Sequence, residues 1–100
     1  KEKVSKLEEK LADYSNDSNC HIAIDENCMW AVWPICIALR GSFDQKAIVA
    51  DFLCKQVIRF GDLINNFINI YCLIELLAQN DKSSAYETQN LFTSNCLYKI

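Results

Sequence analysis

Ser42-Phe43-Asp44-Gln45-Lys46-Ala47-Ile48-Val49-Ala50-Asp51-Phe52-Leu53-Cys54-Lys55-Gln56-Val57-Ile58-Arg59-Phe60 decides the fold class. It opens with a capping box, a Ser followed three residues later by Gln, which satisfies two orphan donors at a helix start. Phe43, Ala47, Ala50, Cys54 and Val57 then recur at helical spacing, widened by Ile48, Leu53 and Ile58. Asp44, Asp51, Lys55 and Arg59 supply the wet face, with Asp51 and Lys55 paired at i,i+4. Gly61 stops this helix, and Asp62 stands where an N-cap of the next belongs.

The same grammar extends downstream. Residues 63 to 79 read as a helix with a polar stripe of Asn65, Asn66 and Asn69 and an apolar second half interrupted only by Glu75. After the polar link of residues 80–83, Ser84-x-x-Glu87 reads as a second capping box opening a last helix, in which Phe92, Cys96 and Ile100 recur every four residues. Upstream, residues 28–39 form an uncharged apolar run containing Trp30, Trp33 and the single proline, Pro34. Pro34 either kinks a helix there or sits in the first turn of a new one, which Gly41 ends. Asp25, with Glu26 behind it, is placed to cap this element.

Residues 1–15 have a different composition, with four basic and four acidic residues. Val4, Leu7, Leu11 and Tyr14 fall on a and d positions of two heptads, with Lys3 at g and Glu8 at e. This pattern predicts a parallel homodimeric coiled coil. The same spacing also suits a surface helix laid on its own domain. The chain begins at Lys1 and not at Met, so the coiled coil is expected to continue upstream. Ser15-Asn16-Asp17-Ser18-Asn19-Cys20 forms a polar break after it. The expected architecture is all-α: a coiled-coil-like helix over 1–15, then a compact bundle of about four helices over 20–100. Two glycines and one proline in 100 residues are too few for a turn-rich β-sandwich or barrel.

Composition narrows the function. A net charge of −3 speaks against electrostatically driven nucleic-acid binding. The 12-residue apolar run is short of the roughly 20 residues of a membrane-spanning helix. Two glycines build neither a dinucleotide fingerprint nor a P-loop. The one histidine, His21, neighbours Cys20, but adjacent side chains point apart, so no nucleophile–base pair is expected. Cys20, Cys28, Cys36, Cys54, Cys72 and Cys96 contain no close chelating pair, so no metal, cofactor or small-molecule substrate is expected. Four of the cysteines sit among large apolar neighbours, which suits reduced thiols in an intracellular protein, cytoplasmic or nuclear. Their even number, and the sequon at Asn16-Asp17-Ser18, suit a secreted alternative with 15 possible pairings.

The expected function is a non-enzymatic protein–protein interaction and oligomerisation module, the end of a longer scaffold or adaptor. Its partners are a second copy, along the Val4, Leu7, Leu11, Tyr14 seam with Lys3 and Glu8 beside it, and an unidentified protein. Trp30 and Trp33 lie at i,i+3 and present one surface, although their apolar context favours a core position. Glu75 is a candidate partner-facing charge in an apolar stretch. The alternative function is a secreted disulfide-bonded helical protein acting as a ligand or lipid carrier.

Overall fold

The computed structural model describes residues 2–13, 20 and 25–99. All regular structure among them is helical: α1 (Glu2–Asp13), a 3₁₀ helix η1 (Glu26–Ala31), α2 (Val32–Arg40), α3 (Phe43–Arg59), α4 (Leu63–Ala78) and α5 (Lys82–Lys99). Every pair among α2, α3, α4 and α5 is in contact, and α1 lies against α4.

The boundaries follow local chemistry. Asp25 adopts an extended conformation and its carboxylate accepts from the Asn27 amide at 3.0 Å, capping η1. Pro34 falls in the first turn of α2, where a missing backbone N–H removes no helical bond. The expected box at Ser42 forms in full: Ser42 Oγ accepts from the Gln45 amide at 3.3 Å, and Gln45 Oε1 accepts from the Ser42 amide at 3.0 Å. Gly41 serves the α2–α3 corner by close approach, its backbone being extended. A Cβ there would press into the Gln45 side chain and sit 3.0 Å from the Ile37 carbonyl oxygen.

Two caps differ from the sequence expectation. Asp62 holds the N-cap position of α4 in a left-handed conformation at φ 42°, and its side chain makes no capping bond. Gly61 before it is also left-handed, at φ 79°, so the turn spends two consecutive unusual conformations to reverse the chain tightly. The second box does not open α5. The helix starts at Lys82, because the Asp81 carboxylate accepts from the Ser84 amide at 3.1 Å and does the capping. Ser84 is thereby inside the helix, and its hydroxyl donates to the Leu39 carbonyl of α2 at 2.6 Å.

The interior consists of Ile35 and Ala31 beside α2, Ala50, Leu53, Cys54 and Val57 of α3, Phe67, Ile70, Cys72 and Ile74 of α4, and Phe92 and Cys96 of α5. Phe67 and Phe92 stack across α4 and α5 at 5.1 Å between ring centroids. Helix α3 buries the face its sequence suggests at Ala50, Leu53, Cys54 and Val57 and departs from it elsewhere. Lys46 is buried at 5% exposure, whereas Phe43, Ile48 and Ile58 are exposed. A polar anchorage holds Lys46 inside. The Lys46 ammonium donates to the Gly41 carbonyl at 2.9 Å and lies 3.9 Å from the Glu87 carboxylate. Its stem adds apolar cover on the way.

Helix α1 uses its apolar edge within the chain. Leu7 is 1% exposed and belongs to the central core, and Leu11 packs against that core half-buried. Glu8 is exposed. The side chains of Lys3, Val4 and Tyr14, and the segment around His21, lie outside the described residues. Replacing Leu7 by Ala is expected to cost about 2–4 kcal/mol in a urea unfolding experiment at a concentration where the protein is monomeric. A loss below about 0.5 kcal/mol would show that α1 is not part of the folded core. Thr88 Oγ1 is wholly buried with no hydrogen-bond partner in the structure. The Thr88→Val substitution keeps the shape and removes the unpaired hydroxyl, so stability should rise by about 1 kcal/mol in the same assay. A fall would show that the hydroxyl has a partner.

Candidate interaction surface

Cys28, Ala31, Ile35 and Ala38 turn one side of η1 and α2 toward the core. Met29, Trp33 and Ile37 advance by four residues at a time on the opposite side, and all three are exposed. Trp33 is 71% exposed. Ile48 and Phe52 repeat the i,i+4 spacing on the outer face of α3 and are exposed as well. Trp30 ties the two helices together. Its ring meets Phe52 edge-on at 6.3 Å and Phe60 at 5.6 Å, the geometry favoured by aromatic quadrupoles. The two tryptophans therefore part: Trp30 packs half-buried in an aromatic cluster, and Trp33 stands in solvent. Exposed apolar side chains are thus concentrated along η1, α2 and the outer face of α3.

Charges bracket the stripe. Glu26 and Arg40 are exposed, one at each end, and each is seven residues from Trp33. The Arg40 Nε donates to the Cys36 carbonyl at 3.3 Å, which steadies its side chain along the helix. The order Glu26, Met29, Trp33, Ile37, Arg40 is thus symmetric in spacing about Trp33 and opposite in charge at its ends.

Glu75 is occupied within the chain. Its carboxylate takes an ion pair from Lys82 at 3.2 Å and a hydrogen bond from Gln89 Nε2 at 3.1 Å. The same Gln89 amide donates to the Tyr71 carbonyl, so the group locks α4 to α5. Burial and the nearby Glu75 charge push the Tyr71 phenol above its ordinary range. Asp51 is held below the usual carboxylate range by hydrogen bonds from Lys55 and then Lys99. That contribution to stability is present above the unfolded carboxylate pKa near 3.8 and is lost as pH falls through the lower folded value.

All six cysteines are free thiols, with the Cys54 thiol beside that of Cys96 and the Cys20 thiol beside that of Cys72. Cys28 donates to the Asp25 carbonyl at 2.7 Å. Beside η1, a cleft of about 490 Å³ is walled by Trp30 and Phe60 and edged by Asp25, Asn65 and Asn69. Among the described residues, no cluster of three or more His, Cys, Asp or Glu side chains is arranged to hold a metal ion. None of the described helices is long and apolar enough to cross a membrane. Comparison with protein-family models, with curated proteins and with solved structures finds no match, so the surface itself carries the functional reading.

In dilute solution iodide should quench much of the tryptophan emission, through Trp33. The Trp33→Phe variant, which keeps only Trp30, should be quenched far less. Equal quenching of both proteins would place Trp33 under cover.

Proposed function

We propose that this chain is a non-enzymatic protein–protein interaction and oligomerisation module, and that a second copy of the chain covers the Met29, Trp33, Ile37 stripe. The order of the stripe along the sequence, symmetric about Trp33, is the observation that carries this reading. Two copies of η1–α2 laid antiparallel, with a two-fold axis at Trp33, bring Trp33 onto its mate. They turn Met29 toward the partner's Ile37 and Glu26 toward the partner's Arg40, a match of order along the axis and not of residue register, since η1 is 3₁₀ and α2 is α-helical. Such a self-complementary patch is what an isologous dimer requires. A tryptophan at the centre with charges at the rim has the anatomy of an interface hot spot.

The copy docks through α2 in this reading and not in parallel through α1, because Leu7 and Leu11 are already committed to the chain's own core. Within a longer scaffold or adaptor, the pairing would set copy number and leave the remaining faces for another protein. A second reading, the disulfide-bonded helical protein of an oxidising compartment, is favoured by the two thiol pairs. The α2 stripe serves either reading.

The test is a charge exchange followed by light scattering at about 100 μM protein, a range that captures micromolar pairing. The wild type should run as a dimer. The Glu26→Arg and Arg40→Glu variants should each weaken pairing about tenfold, by like-charge contact at the rim. The double variant should recover most of it, since the opposite charges face again. A wild type that stays monomeric, or a double variant no better than the single ones, overturns the proposal.

A further inference from the structure

Six cysteines permit 15 pairings, and the fold brings four of them together as two pairs. Cys54 on α3 and Cys96 on α5 are both wholly buried free thiols that face each other between two packed helices. The register of the two helices supports this contact independently. The Lys46–Glu87 ion pair joins the same helices eight residues before Cys54 and nine before Cys96. Nearly equal lengths of α3 and α5, running in one direction from that pair, bring the two thiols close to level. Cys20 is buried at 1% exposure, with its thiol on that of Cys72 in α4. Cys28 and Cys36 are eight residues apart along η1 and α2, about 12 Å or more, beyond the reach of one disulfide.

We infer that this chain closes two disulfides, Cys54–Cys96 and Cys20–Cys72, and keeps Cys28 and Cys36 as thiols. The oxidant is a small disulfide of the glutathione type, which meets the cysteines during folding, before they are buried. One cysteine thiolate attacks a sulfur of the oxidant, forming a mixed disulfide and expelling one glutathione thiolate. The second cysteine loses its proton to solvent, and its thiolate attacks the first cysteine's sulfur, expelling the other glutathione. Per link, two thiol hydrogens are lost and one glutathione disulfide becomes two glutathiones. Within the first pair, the hydrogen bond from Cys96 and the nearby Lys99 hold the Cys54 thiol below its ordinary range. Cys96 is pushed up by the same hydrogen bond and by burial. These shifts belong to the folded pair; during folding either cysteine of a pair can attack the oxidant first. The inference is independent of the docking surface, because none of these four cysteines belongs to the α2 stripe.

The experiment refolds the fully reduced protein in a mixture of reduced and oxidised glutathione, alkylates free thiols in denaturant, and maps the linked peptides by mass spectrometry. The expected result is two alkylated cysteines, Cys28 and Cys36, with linked peptides joining Cys54 to Cys96 and Cys20 to Cys72. The oxidised protein should melt about 10 °C or more above the reduced one, because each link closes a long loop of the unfolded chain. Six alkylated cysteines, the absence of either link, or any link to Cys28 or Cys36 overturns the inference.

Discussion

Helix α2 is apolar on every side, and its neighbours within the chain cover only one of them. That side is filled by small and medium residues, Ala31, Ile35 and Ala38, which allow α3 and α4 to approach closely. The opposite side then has to hold Met29, Trp33 and Ile37 in water. Burying one such side chain is worth about 1.5–3 kcal/mol, so the exposed stripe is a standing drive toward association. The position of every other element limits what can relieve it. Helix α1 is already laid against α4, and the α2–α3 corner is fixed by Ser42, Gln45 and Lys46.

The corner also anchors the start of α3. Lys46 reaches the carbonyls at the end of α2 and approaches Glu87 of α5, binding three helices at one point. A buried ammonium is costly unless hydrogen-bonded and paired. Here it is both. Ile48, two residues from both Lys46 and Ala50 and so about 200° around the helix from each, goes outward and is exposed together with Phe52. Trp30 closes the seam between the two helices by edge-on contact with Phe52 and Phe60, so the apolar surface spans the α2–α3 junction.

Helical class, the capping box at Ser42 and the cap at Asp25 were legible in the sequence, because each depends on residues within one turn of each other; Pro34 allowed a kink or a new helix, and the structure takes the second, with the helix starting at Val32. Asp62 was read at its right position, but in its left-handed conformation it makes no side-chain capping bond. Asp81 was passed over for Ser84, because the polar link of residues 80–83 offers several residues able to cap. The burial of Lys46 was hidden because it depends on the ammonium meeting carbonyls at the end of another helix. The fate of Trp33 was obscured by its apolar neighbours, although the spacing of Glu26, Met29, Trp33, Ile37 and Arg40 is readable without coordinates. Leu7 and Leu11 have a spacing that serves a partner helix or the chain's own core equally, and only tertiary packing chooses between them.

The account stands on the stripe meeting its own copy, and Met29 gives a direct probe because it is the single methionine of the chain. Within one chain its methyl and those of Ile37 are eight residues apart, about 12 Å or more along the helix axis, beyond the reach of a nuclear Overhauser effect. A sample mixing isotope-labelled and unlabelled chains, read through filters that pass only contacts between copies, isolates the interface. The account predicts cross-peaks from the Met29 methyl to the Ile37 methyls of the partner copy. Their absence, or cross-peaks from Met29 to residues outside the stripe, would contradict it.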